Sequence, residues 1–268
     1  MKLNTSRFKL HTSNFILLSL LAVPCLSLQA GISASAAELQ EIQQRGKLIV
    51  AVKDNLRPLG FRDPTGNLQG LEIDLARRLA TEILGRSEAV VLQPVANRDR
   101  LPVLLEGKVD LTIAKVTATA ARSRLVDLSA AYYLDGAALL TKDATLRTLR
   151  DLSGKKIAVL NGSTTISQVR FALPNAQLVG VDSYEAARSR LETGDVAAFA
   201  ADVSVLTGWV QEYPQYRILD SRLSTEALCI VMPKGLQYDP LRRLVNRAIA
   251  RWKAEGWLQE RATYWGLP

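Results

Sequence analysis

Histidine and cysteine are almost missing from this chain. One histidine, His11, and two cysteines, Cys25 and Cys229, stand among 268 residues. His11 and Cys25 fall in an N-terminal segment that reads as a removable leader, so the remaining chain has no histidine and one thiol. That excludes a Ser-His-Asp triad, a Cys-His pair and a histidine-ligated metal, and a single cysteine cannot close an internal disulfide. Cys229 sits in the apolar run Ala227–Val231, where a buried core thiol is expected. No run of lysine and arginine interleaved with aromatics occurs, so the footprint of a nucleic-acid binder is missing. No glycine-rich loop carries a lysine at phosphate-cradling spacing, and no cofactor pattern stands in its place.

Apolar runs long enough to cross a bilayer are also absent. The longest, Phe15–Leu28, falls short of the ~20 residues a hydrocarbon core needs and contains Pro24. Lys2, Arg7 and Lys9 precede it and Ser35-Ala36-Ala37 follows, the order of a secretory signal peptide spanning residues 1–37 and cut after Ala36 or Ala37. Pro24 directly before Cys25 argues against a lipid anchor there. Loss of the leader lowers the net charge from +8 to +5, a mild and scattered basic excess. The expected location is periplasmic or otherwise extracytoplasmic.

What remains is 48% hydrophobic across the chain, enough for packed cores. Lys47–Val52 is a short apolar run of buried-strand type, and Leu71, Leu75, Leu79 and Ile83 recur every four residues up to Gly85, an amphipathic helix with a glycine stop. Val90–Val95 reads as strand, Arg98–Glu106 as helix and Val109–Ala114 as strand. A second set follows: strands Ile157–Leu160, Leu178–Val181 and Val196–Ala200, alternating with helices Thr164–Ala172, Tyr184–Leu191 and Val203–Glu212. Such alternation implies parallel α/β sheets. Asp239–Pro268 carries apolar residues at helical spacing and reads as helix packed on a core.

Two α/β units leave a cleft between them, and open α/β sheets bind ligands beyond the carboxyl ends of their strands. After Val109–Ala114 come Lys115, Thr117, Thr119 and Arg122, two hydroxyls and two cations at a strand-to-helix turn. Helix N-termini attract anions, and a guanidinium matches a carboxylate with parallel donors. After Ile157–Leu160 come Gly162, Ser163 and Thr164, a glycine turn with hydroxyls opening a helix, again suited to an oxyanion. Asp202 ends the strand Val196–Ala200 and suits a ligand ammonium. Each also has an ordinary role: Thr119 or Asp202 as a helix cap, Arg122 as a surface charge.

The series Gly46-Lys47-Leu48-Ile49-Val50-Ala51-Val52, Pro58-Leu59-Gly60-Phe61, Gly70-Leu71-Glu72-Ile73-Asp74-Leu75-Ala76, Gly107-Lys108-Val109-Asp110, Thr117-Ala118-Thr119 to Arg122, Leu152 to Val159, Gly162-Ser163-Thr164, Gly194-Asp195-Val196 and Asp202 resembles the family-3 extracellular solute-binding proteins. These are the polar-amino-acid receptors of ABC transporters, and the resemblance covers nearly all of Gly46–Gly266. It implies a periplasmic-binding-protein-like α/β fold: two lobes, a two-strand hinge and a ligand in the cleft between them. The first lobe would combine residues 38–135 with 227–268 and the second would be 136–226, with the hinge near Leu134–Leu139 and Leu223–Leu228. It further implies that Arg122 and Thr117, with Thr164 from the facing lobe, hold an α-carboxylate while Asp202 pairs with the α-ammonium.

Two positions depart from the family. Leu56 and Arg57 stand where many members place an aromatic wall, and Lys115 stands where small or polar residues are common. With Arg57 and Lys115 both cationic, glutamate, aspartate or glutamine is the expected ligand, and Asn97 aligns near the same pocket. A monomeric, non-enzymatic receptor delivering to a membrane permease follows. The rival is a periplasmic lyase resembling cyclohexadienyl dehydratase, which would need an acid or base drawn from Glu72, Asp110, Lys115 or Glu226.

Overall fold

A computed structural model describes residues 36–268, together with Met1 and Leu3. The expected leader, with Phe15–Leu28 and Cys25, lies outside the described residues. None of the described helices is long and apolar enough to cross a membrane.

The folded chain opens with helix α1 (Leu39–Arg45) and strand β1 (Leu48–Val52), then makes a small antiparallel sheet from β2 (Asn55–Leu56), β3 (Gly60–Arg62) and β4 (Leu68–Gln69). Helix α2 (Leu71–Leu84), β5 (Val90–Pro94), α3 (Pro102–Leu105), β6 (Leu111–Ile113), α4 (Ala120–Ser123) and β7 (Asp127–Asp135) follow. Next come β8 (Ala137–Thr141), β9 (Lys156–Leu160), α5 (Thr165–Ala172), β10 (Gln177–Val181), α6 (Tyr184–Glu192), β11 (Ala198–Asp202), α7 (Val203–Glu212) and β12 (Arg217–Ile218). The chain ends with β13 (Glu226–Met232), α8 (Asp239–Ala254) and α9 (Trp257–Tyr264).

Two five-stranded sheets, ordered β5-β1-β6-β13-β7 and β10-β9-β11-β8-β12, organise two α/β lobes. Pairing is parallel between β1 and β5, β1 and β6, β9 and β10, and β9 and β11. The sheets are mixed rather than wholly parallel as expected, because β7, β8, β12 and β13 enter antiparallel. These are the strands on either side of the two crossings, where the chain turns back instead of passing over a helix. The expected helix Arg98–Glu106 also contracts to α3: Pro102 suits the start of a helix but its ring excludes a helical turn running through from Arg98.

Periodicity did specify α2. Leu71, Leu75, Leu79 and Ile83 all point into the first core, and Gly85 closes the helix in the left-handed region at φ 74°. Each such apolar side chain stabilises the fold by about 1.5–3 kcal/mol relative to exposure. The same core takes α8 and α9, with Val245, Ile249 and Trp252 fully buried. A separate core under the second sheet gathers Phe199, Leu206, Trp209 and Tyr216. Cys229 is buried in β13.

The two crossings abut. Gly136, between β7 and β8, adopts φ 156°, and a Cβ there would stand 2.0 Å from the carbonyl oxygen of Ser224 in the return segment. The Ala137 N–H donates to the Ser224 hydroxyl at 2.9 Å, and the Leu223 N–H donates to the Ala137 carbonyl at 2.7 Å. Away from the crossings the lobes meet again where Gly208 of α7 lies under the Arg57 carbonyl, 2.2 Å from where a Cβ would be.

Candidate binding cleft

The C-terminal ends of β1, β5 and β6 share one edge of the first sheet, and β13, running opposite, brings its first residue, Glu226, to that edge. The second sheet likewise gathers the ends of β9, β10 and β11, placing Ser163 and Thr164 beyond β9 and Asp202 at the tip of β11.

Lys115 joins the two edges. Its ammonium forms an ion pair and hydrogen bond with Asp202 Oδ2 across the lobes, both side chains being largely withdrawn from water at 16% and 21% exposure. Asp202 begins α7 but its carboxylate makes no capping hydrogen bond, so it is left for this contact. Burial works against the charge on Lys115, yet Asp202 and then Asp135 hold its pKa above the ordinary lysine value.

The backbone of Lys115 is left-handed, with φ 50°, the only such non-glycine residue described. That conformation costs a side-chain-bearing residue about 1–2 kcal/mol. Hydrogen bonds hold it on both sides: its N–H donates to Glu72 Oε1 at 2.6 Å, and its carbonyl accepts from Arg100 Nη1 at 2.5 Å. Glu72 is fully buried in the first turn of α2, and Tyr132 donates to the same oxygen at 2.5 Å. Desolvation raises the Glu72 pKa against the opposing effect of those two hydrogen bonds.

Two further carboxyls face Lys115. Asp135, 1% exposed, accepts the Ser204 N–H at 3.0 Å and the Ser204 hydroxyl at 2.5 Å. Glu226 has its pKa raised by burial and by Asp202, with Lys115 and a hydrogen bond from Thr117 acting the other way.

Arg122 Nη1 donates to the Thr117 carbonyl at 2.6 Å, so the two residues read as a carboxylate clamp do lie together. Thr119 caps α4, accepting the Arg122 N–H at 3.2 Å. On the other lobe Thr164 is exposed, whereas the Ser163 hydroxyl is buried without a hydrogen-bond partner. Buried hydroxyls are rarely left so.

Arg57 and Asn97 are engaged elsewhere. The Arg57 guanidinium lies 3.9 Å above the Phe61 ring and 3.9 Å from Glu212, and the Asn97 carbonyl accepts from Arg100 Nε at 2.9 Å while its side chain is exposed. Asp110 sits at the opposite, N-terminal end of β6, accepting the Ile49 N–H at 2.8 Å and pairing with Arg45. Its role is to pin α1 and β1, remote from the cleft. Sequence reading passed over Tyr132, Asp135 and Arg100 as cleft residues; Asp135, a carboxylate amid a largely apolar run, was the one available signal.

The description "Bacterial extracellular solute-binding proteins, family 3" matches residues 48–268. The glutamine-binding protein of Geobacillus stearothermophilus is 35% identical over 197 residues, covering 72% of this chain and 75% of its own length. The glutamate-binding protein GluB of Corynebacterium glutamicum is 29% identical, covering 82% and 78%. Among solved structures, an ancestral cationic amino-acid solute-binding protein superposes with a TM-score of 0.73 at 27% identity, covering 85% of this chain and 98% of its own. An amino-acid substrate-binding protein of Streptococcus pneumoniae bound to L-arginine gives 0.68 at 27%, covering 84% and 97%. With both sheets, both crossings and 221 matched residues inside that description, the chain belongs to the family-3 extracellular solute-binding proteins.

Proposed function

We propose that this protein is an exported receptor that closes around a polar or acidic amino acid, glutamate, aspartate or glutamine, and delivers it to the membrane permease of an ABC transporter. Residues 1–37 serve as its signal peptide. Residues 38–135 with 227–268 move as one body and 136–226 as the other, about the crossings at Gly136 and Ser224. Arg122, Thr117, Ser163 and Thr164 take the α-carboxylate, and Asp202 takes the α-ammonium.

The observation that carries the reading is the Lys115–Asp202 pair. Lys115 already occupies, with its own ammonium, the carboxylate assigned to the ligand's. When a ligand takes Asp202, Lys115 loses its ion-pair partner and keeps the more distant attraction of Asp135 and Glu226, so a new contact for its shielded ammonium is favoured. Asp135 is engaged by Ser204. A side-chain carboxylate on the ligand supplies the missing partner, and an amide oxygen does so more weakly. The orphan Ser163 hydroxyl gains an acceptor in the same step. Arg57 would meet a ligand only by leaving Phe61 and Glu212, and Asn97 only through its exposed side chain.

The test is a thermal-shift panel of the common amino acids on residues 38–268, since a ligand bound only by the folded state raises its melting temperature. Glutamate, aspartate and glutamine are expected to shift it, and Lys115→Met is expected to lower glutamate affinity ~10-fold relative to glutamine, which is about 1.4 kcal/mol. A shift confined to arginine and lysine would reverse the reading, assigning Asp135 and Glu226 to a cationic ligand.

A further inference from the structure

We propose that Glu72 is a positioning residue for the cleft: from a place no ligand reaches, it aims Lys115 at Asp202 and so sets which amino acids the site prefers. Glu72 is fully buried, and its contact with the site runs through one atom, Oε1, which accepts the Lys115 N–H at 2.6 Å and the Tyr132 hydroxyl at 2.5 Å. Its other oxygen, Oε2, is buried without a partner. A buried carboxyl with one oxygen unserved is an expensive choice for packing alone. Leucine would fill the space without that penalty, so the group is explained by what Oε1 holds.

What it holds is the peptide of the one described non-glycine residue in the left-handed region. The direction of a side chain follows from its backbone, so the φ of 50° at Lys115 sets where the ammonium lands. Arg100 grips the carbonyl side of the residue and Glu72 the N–H side. Release of the N–H lets Lys115 relax towards an ordinary φ, which swings its side chain off the line to Asp202 on the other lobe. Tyr132, buried in β7 and donating to the same oxygen, fixes the Glu72 rotamer.

The test has a ligand-free arm and a ligand arm. In the ligand-free protein, Lys115→Met, Asp202→Asn and the double variant form a cycle in urea unfolding, repeated in Glu72→Gln, Glu72→Asp and Glu72→Leu backgrounds. The wild-type coupling is expected to be ~10-fold in the unfolding constant. Glu72→Gln, which keeps an acceptor oxygen in place, should retain it; Glu72→Asp, one methylene shorter, and Glu72→Leu should bring it close to one. Coupling that survives in Glu72→Asp overturns the proposal, as does a wild-type coupling near one, and the aspartate variant decides alone if the leucine variant does not fold. The ligand arm rests on the reading of the cleft given above: Glu72→Asp should lower the glutamate-to-glutamine affinity ratio ~10-fold, as Lys115→Met does, with Glu72→Gln restoring it. Equal loss for both ligands marks a purely structural role and also overturns the proposal. A wild-type protein that binds neither ligand removes the glutamate and glutamine reading of the cleft and leaves the unfolding cycle to decide on Glu72.

Discussion

Asp202→Asn should weaken binding of the amino acid ~30- to 150-fold, about 2–3 kcal/mol, with the fold intact. The size follows from the ligand ammonium losing its carboxylate. The Lys115–Asp202 pair of the ligand-free protein, which the ligand has to displace, is lost as well and offsets part of that cost. Truncating one member of a desolvated pair costs 2–5 kcal/mol, and the lower part of that range applies because both side chains keep about a fifth of their exposure. Helix α7 should be little affected, since the Asp202 side chain makes no capping hydrogen bond. Titration calorimetry at 25 °C, with circular dichroism as the control for folding, measures the effect. Wild-type affinity in Asp202→Asn would reduce Asp202 to the residue that opens a helix.

Trp252→Ala should lower the melting temperature by ~6–20 °C. Trp252 is fully buried on α8, its ring centroid 5.3 Å from that of Trp257, and its indole N–H donates to Glu82 Oε1 at 3.0 Å. Removal of a core tryptophan costs about 3–5 kcal/mol, and in a domain of this size each kcal/mol moves the melting temperature by ~2–4 °C. Glu82, which also pairs with Arg251, loses its neutral donor and keeps its ionic one. Calorimetry of the ligand-free protein reads the change. Trp252→Phe should recover most of the loss, because the ring volume matters more than the single hydrogen bond. Affinity measured well below the transition should stay within ~3-fold of wild type, since the residue lies far from the strand ends that form the cleft.

The parts of this fold that were legible in the sequence are those that repeat a local rule. The four-residue spacing from Leu71 to Ile83 with Gly85 behind it specified α2 closely, and Val203–Glu212 specified α7 to the residue. The antiparallel strands were not legible as such. β7, β8 and β13 are apolar segments whose antiparallel partners lie 59 to 119 residues away, and nothing local in Ala137–Thr141 distinguishes antiparallel from parallel pairing. The cleft divides the same way. Arg122, Thr117, Ser163, Thr164 and Asp202 follow strand ends, a rule of position along the chain. That Lys115 spans to Asp202, and that Glu72 and Arg100 hold its peptide from two sides, depends on a backbone angle and on three-dimensional neighbours that no spacing encodes.

The position of β13 carries a consequence for how the molecule is made. Residues 226–232 fill the place between β6 and the edge strand β7 of the first sheet, whereas the second sheet closes from the unbroken stretch 137–218. As the chain emerges from the ribosome, the second sheet completes first, and the first waits with a strand-wide gap until the last sixth of the polypeptide has followed. Until then β6 and β7 present unpaired edges, which draw chaperones and other chains alike. A chain cut after residue 225 would therefore keep the second sheet whole and leave the first split between β6 and β7.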